Sequence, residues 1–203
     1  MDDLAKLFGS AMRVKLLRLF VFNSDAVFDK EEVAKRARVS SLLIAKELQA
    51  LVRMGILEKK SYTRIRRDGR GQRHRVAVPC WLLKKQYSLL DALQTFLEKT
   101  LSVSEKEVRA TVRSAGTVHL LALSGFLTGN KDGSLDMLVV GEKIDVPQLE
   151  KAVRSLEAEY GKELRYALLS PEEYFHRKRV RDKLVRDVLD FSHRIIIDRA
   201  SSE

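Results

Sequence analysis

The sequence predicts an α+β protein in two parts, and three observations predict it. Between Lys30 and Leu57 apolar residues recur at helical spacing, with one break at Arg38-Val39-Ser40. Immediately afterwards two strand-like runs flank a basic turn that holds two glycines. From Thr117 the apolar period changes to that of short buried strands alternating with helices. Charge follows the same division. Residues 1–85 hold 20 of the 38 Lys and Arg but only 9 of the 28 Asp and Glu, so the whole formal excess of +10 lies in the first part. That is the electrostatic footprint of a polyanion binder in one half of the chain.

The first expected element is a helix over Asp3–Phe22. Leu4, Leu7, Phe8, Met12, Val14, Leu16, Leu17, Leu19 and Phe20 are its inward residues, and Arg13, Lys15 and Arg18 its outward ones. Gly9 costs such a helix about 1 kcal/mol relative to Ala, so close packing or a break is expected there. A turn follows over residues 23–28. Asp29, with Glu32 three residues on, reads as the capping box of a short surface helix. Ser40 then caps a second helix, because its hydroxyl can take up a free amide of the first turn. This second helix is expected to bury Leu43, Ile44, Leu48, Leu51 and Val52, and to show Ser41, Leu42, Ala45, Lys46 and Gln49. Gly55 ends it.

Two short helices and a tight turn suit a helix-turn-helix, with the second helix laid in the DNA major groove. A plain helical hairpin inside a core is the alternative. The next stretch favours DNA. Residues 56–62 and 75–78 read as strands around a turn, and Arg64, Arg66, Arg67, Arg70, Arg73 and Arg75 fall within a dozen residues. A hairpin with such a tip is a wing, able to lie along phosphates or to enter the minor groove. On these residues, and on VSSLLIAKELQALVRMGIL over 39–57, the stretch from Leu4 to about Leu101 resembles winged-helix transcription regulators, the broad class that includes arsenic-sensor repressors. The resemblance implies that Ser40, Ser41, Ala45, Lys46 and Gln49 face bases, and that Arg64, Arg66, Arg67, Arg70 and Arg73 hold phosphates.

After Pro79-Cys80-Trp81 a helix is expected over Leu82–Leu101, with Leu83, Tyr87, Leu90, Leu97 and Leu101 on one seam and Leu89, Leu93 and Phe96 on another. One seam would cover the first domain. The other would meet a second copy or the following domain. A capping pattern at 102–105 starts another helix, to about Ser114. Then come a strand at 118–123, a Gly-rich loop at 124–133, a strand at 135–141, a helix at 146–160, a strand at 163–169, a helix start at Ser170, a helical stretch at 177–191 and a last strand at 194–197.

Strand, small-residue loop, then a strand with an inner Asp resembles the minimal nucleotidyltransferase domain, over about Gly116–Arg199. That family holds nucleotide phosphates on Gly-Ser and Mg²⁺ on Asp-x-Asp, with a third carboxylate on a later strand. Here the Gly-Ser position reads Ser124-Gly125, Asp-x-Asp reads Ser134-Leu135-Asp136, and residues 164–169 carry no carboxylate. One carboxylate cannot replace three around a divalent ion that also meets a triphosphate. The expectation is a catalytically degenerate frame whose nucleotide-binding remnant is Ser124, Gly125, Thr128, Gly129, Ser134 and Asp136, with Asp132 as a substitute ligand. Glycines that only make a tight turn are the alternative.

The expected domains are 1–80 (winged helix-turn-helix), 81–115 (connecting and dimerising helices) and 116–203 (nucleotidyltransferase-like). Cys80 stands alone, which excludes an internal disulfide and a paired-thiolate sensor. Histidines 74, 119, 176 and 193 show no metal spacing, so no metal, cofactor or catalytic residue is expected. Signal peptide and membrane-length apolar run are both lacking, which points to the cytoplasm. The expected function is a DNA-binding transcription regulator acting on double-stranded DNA as a homodimer, with a possible nucleotide effector. An active nucleotidyltransferase and an antitoxin-type repressor are the alternatives.

Overall fold

The computed structural model describes residues 3–67, 69, 71–101, 103–130 and 133–199, without the side chains of Arg64, Arg66 and Arg67. The fold is mixed α+β, with two small sheets among the described residues. It divides into two compact units. One holds the chain through Lys99 together with Glu157–Lys162, and the other holds Thr100–Leu156 and the chain from Glu163.

The first unit opens with α1 (Asp3–Phe8) and α2 (Ala11–Val21). The single helix expected over this stretch is therefore two. Gly9 takes a left-handed φ of 72°, and the Ser10 hydroxyl then accepts from the Arg13 amide to start α2. Two residues also change sides. Leu7 is exposed, and Arg18 is buried, donating to the Glu159 carbonyl at 3.0 Å. A guanidinium can be buried where its N–H groups find oxygen, a partner that position in the helix cannot reveal.

Next come β1 (Phe28–Asp29), α3 (Lys30–Ala37) and α4 (Ser41–Arg53). Both caps form as expected. The Asp29 carboxylate accepts from the Glu32 amide at 2.8 Å, and the Ser40 hydroxyl from the Leu42 amide at 3.4 Å. Arg38 ends α3 in the left-handed region, at φ 51°. The buried stripe of α4 is Ile44, Leu48 and Leu51. Leu43, expected inside, is 60% exposed, because one residue rotates a helix by a quarter turn or more and Ile44 already holds the inward direction.

Strands β2 (Leu57–Arg67) and β3 (Arg73–Leu83) form an antiparallel hairpin, registered from Leu57 opposite Leu83 to Arg67 opposite Arg73. With β1 the order is β1-β3-β2. The helix expected from Leu82 is displaced. Leu82 and Leu83 extend β3, and α5 covers only Leu90–Lys99. Cross-strand pairing and burial of Trp81 and Leu83 outweigh the helical seam read through Leu83. The core gathers Leu16, Phe20, Phe28, Ile44, Leu48, Leu51, Leu83 and Leu97, each buried side chain contributing about 1.5–3 kcal/mol before entropy is counted.

The second unit starts with α6 (Glu105–Arg113), capped by Ser104. It continues through β4 (Thr117–Leu123), β5 (Met137–Glu142), α7 (Val146–Tyr160), β6 (Tyr166–Leu169), α8 (Pro171–Arg179), α9 (Lys183–Leu189) and β7 (Arg194–Asp198). The last residues of α7 group with the first unit. The sheet order is β6-β5-β4-β7, with β5 and β6 parallel and the other pairs antiparallel. The continuous helix expected over 177–191 is broken. Arg181 sits at φ 55°, and the Asp182 carboxylate then caps α9 through the Leu184 amide at 3.1 Å. No described helix is long and apolar enough to cross a membrane.

Candidate functional site

The helix pair and the hairpin bring the first group of expected residues onto one unit. Ser40, Ser41, Lys46 and Gln49 are exposed, and Ala45 is half-buried. Helical geometry sets Lys46 and Gln49 on the side of α4 opposite Ile44, Leu48 and Leu51, with Ala45 on the flank; Ser41, seven residues before Leu48, lies in line with the buried stripe and is exposed at the first turn. Two further residues complete that face. Leu42 is 83% exposed, and Arg53 lies one turn beyond Gln49 and is exposed. The period 42, 46, 49, 53 was open to reading in the sequence. Apolarity drew Leu42 away from the site, and distance from the cap drew away Arg53. Glu47, the one acid of α4, is tied to Arg13, whose guanidinium also donates to the Phe8 carbonyl at 2.9 Å. Its charge is therefore neutralised within the unit.

The hairpin has two halves. Near the core, Leu57, Cys80, Trp81 and Leu83 are buried. Beyond Ser61 the described side chains are exposed or nearly so, and Ile65 is 63% exposed. At roughly 3.3 Å per residue, the outer half carries the chain about 20 Å past the last buried pair. A two-stranded ribbon without a packed face is marginal in water, so burial does not account for this extension. Its composition does point to a role. Residues 61–77 hold six arginines and one acid, Asp68. Arg73 and Arg75 are exposed. Arg64, Arg66 and Arg67 lie in β2 opposite Val76, His74 and Arg73. Arg70 and Asp68 lie outside the described residues.

The second group of expected residues falls in the other unit and is spent on itself. Asp136 is fully buried. Its Oδ1 accepts from the Phe126 amide at 2.8 Å and from Arg165 Nη2 at 3.0 Å. Its Oδ2 accepts from the Arg165 amide at 2.9 Å and from Arg165 Nε at 3.1 Å. Burial pushes this carboxyl up, but the Arg165 side chain, the two amides and the guanidinium charge together hold it below the ordinary carboxylate range. Arg165, in the segment where the third carboxylate was sought, thus supplies a cation to the one carboxylate present. This partner was missed because the search there was for acids.

The glycine loop is packed just as closely. A Cβ on Gly125, which has φ 53°, would lie 2.4 Å from Asp136 Oδ1 and 2.4 Å from the Leu135 carbonyl oxygen. A Cβ on Gly133 would lie 2.9 Å from the Gly125 Cα. The Ser124 hydroxyl donates to the Leu135 carbonyl at 2.8 Å. The Thr128 hydroxyl donates to the Gly125 carbonyl at 3.1 Å and lies 3.0 Å from that of Ser192. Gly129 ends the short 3-10 turn at Gly125–Thr128 in the left-handed region. Of the expected set, Gly129 and Ser134 are exposed. Asp132 lies outside the described residues. Among those residues no group of three His, Cys, Asp or Glu is placed to hold a metal ion.

Comparison with protein-family models, with curated proteins and with solved structures finds no significant match to this chain.

Proposed function

We propose that the chain is a sequence-specific DNA-binding transcription regulator. Its first unit is a winged helix-turn-helix, and its second is a nucleotidyltransferase-like frame without catalytic function. The observation that carries this reading is the outer half of the β2–β3 hairpin. It is exposed, extends beyond the core and is rich in arginine, and it directly follows a helix whose outer face is free. In this reading α4 enters the major groove, with Ser40, Ser41, Ala45, Lys46 and Gln49 at base edges. Arg64, Arg66, Arg67, Arg70 and Arg73 neutralise phosphates. The order β1-β3-β2, with the hairpin following α4, supports the wing.

The frame reading is supported by the closed bonding of Asp136 and by the glycine loop packed onto it. A second copy is the partner that a two-half-site operator asks for. Exposed Leu7, Met54, Leu89 and Phe96 offer apolar surface for it, around a depression of about 760 Å³ in the first unit.

Selection of bound fragments from random duplexes tests the reading, followed by titration of the selected duplex at several salt concentrations. A defined sequence preference is expected. Arg66→Ala with Arg67→Ala is expected to flatten the salt slope by up to about 2 units. No preference among fragments, together with an unchanged slope, would overturn the assignment.

A further inference from the structure

The second unit carries a basic corner that the glycine loop does not involve. Residues 176–186 hold six Lys and Arg against one acid, Asp182. The break between α8 and α9 folds this run into a bend, with Arg181 left-handed at its apex. Three of the nearby acids pair with arginines of this run, while among the described residues Glu172 and Asp187 form no ion pair. Glu173 accepts from Arg177 at 2.8 Å and Asp182 from the same residue at 3.4 Å, while Asp190 accepts from Arg186 at 3.0 Å. Among the described residues, Arg179, Arg181 and Lys183 form no ion pair, and all three are exposed. Lys178 stands over the Tyr174 ring at 5.8 Å. Lys178, Arg181 and Arg186 line a cavity of about 450 Å³ whose one acidic lining residue is Asp190.

Like charges gathered on one bend repel, and the paired acids here offset Arg177 and Arg186 but not Lys178, Arg179, Arg181 or Lys183. A bound anion would relieve that repulsion. The cavity can admit one phosphate-sized group. Arg179 and Lys183, outside its lining, extend the positive surface, which suits a ligand with several phosphates in succession. An anionic membrane fits less well, since Phe175 and Val180 are isolated exposed apolar residues and neither short helix offers a continuous apolar face.

We infer that the α8–α9 corner is a second nucleic-acid contact, taking phosphodiester groups through Lys178, Arg179, Arg181 and Lys183 without reading bases. The inference rests on the chain being a nucleic-acid binder but not on which bases α4 reads. The test uses the full chain with all four residues changed to Gln, beside the double change Arg179→Gln with Lys183→Gln, which touches neither cavity nor ion pair. Binding of a mixed-sequence duplex and of the selected duplex is measured by fluorescence anisotropy across a salt series. Neutralising four phosphate contacts is expected to flatten the slope of log affinity against log salt by up to about 3.6 units on both duplexes. The double change is expected to remove about half of that, and the preference between duplexes to stay as it was. A slope equal to the parent's in both variants would overturn the inference. So would corner-dependent binding to phosphatidylserine vesicles with duplex binding untouched. The Arg66/Arg67 variant, run in parallel, reports on the wing separately: an unchanged slope there with a corner effect intact sinks the wing assignment alone.

Discussion

The β2–β3 hairpin and the Gly125–Asp136 loop are both rich in glycine and charge, yet they use those residues in opposite ways. At the tip of the hairpin, Gly71 is left-handed at φ 79° and a Cβ there would meet nothing within 4 Å. Arg73 and Arg75 beside it are exposed, on a ribbon whose described outer half is unpacked. In the loop, Gly125 is also left-handed, but backbone and carboxylate crowd it, and the Asp136 carboxylate accepts four hydrogen bonds. Open charge on a protruding element is available to a partner. Charge closed on its own fold is architecture. The same residue types therefore carry opposite meanings, and only their surroundings tell them apart.

The largest effect expected from breaking this contrast is at Asp136. Asp136→Ala leaves the Phe126 and Arg165 amides without their acceptor, and should destabilise the protein by about 3 kcal/mol, the lower end for a broken buried pair because the Arg165 side chain is half exposed. Urea unfolding measures it, and a loss below 1 kcal/mol would mean the loop does not depend on this carboxylate. Acid should remove the charge-dependent part of this contribution reversibly. The folded carboxyl titrates below its unfolded counterpart, so its contribution is complete above the usual carboxylate range and disappears as pH falls through the depressed folded value. Asp136→Asn should lack that component of the stability–pH curve. Incubation of the parent protein with Mg²⁺ and labelled nucleoside triphosphates should give no transfer; transfer abolished by Asp136→Asn would reverse the reading of the frame.

The glycines sharpen the comparison at intermediate size. Gly125→Ala combines a left-handed backbone with a blocked Cβ and should cost about 2–4 kcal/mol. Gly71→Ala has the backbone term alone and should cost about 1 kcal/mol. Thermal melts of the two variants compare them directly, and equal shifts would remove the distinction drawn here. The smallest stability effect is expected at Leu42. Leu42→Ala should stay within about 0.5 kcal/mol of the parent, since the side chain is in solvent. If α4 reads bases, it should nevertheless weaken preference at a position where a thymine methyl meets an apolar group, and replacing that thymine by uracil should reproduce the loss. Indifference to both changes would take Leu42 out of the reading face.

The features fixed by neighbours within one turn could be read in advance. Asp29, Ser40, Ser104 and Ser170 each cap a helix through an amide two or three residues away. Gly9 marked a place where one helix was strained, and it is where α1 and α2 separate. The concentration of arginine after α4 was equally plain, because charge is counted residue by residue. Long-range choices were not. Leu83 fits a helical seam by spacing and became a strand residue because Leu57 pairs with it. Arg18 looked like a surface residue until the Glu159 carbonyl took its guanidinium.

The amino-acid sequence thus determined where capped helices start and where positive charge collects, since both follow from interactions over a few residues. Whether charge remains open or is closed was decided by the tertiary structure. Arg165 lies 29 residues from Asp136, and no local rule joins them. The fold brings the start of β5 beside the start of β6, and removal of that carboxylate from water makes the guanidinium its partner.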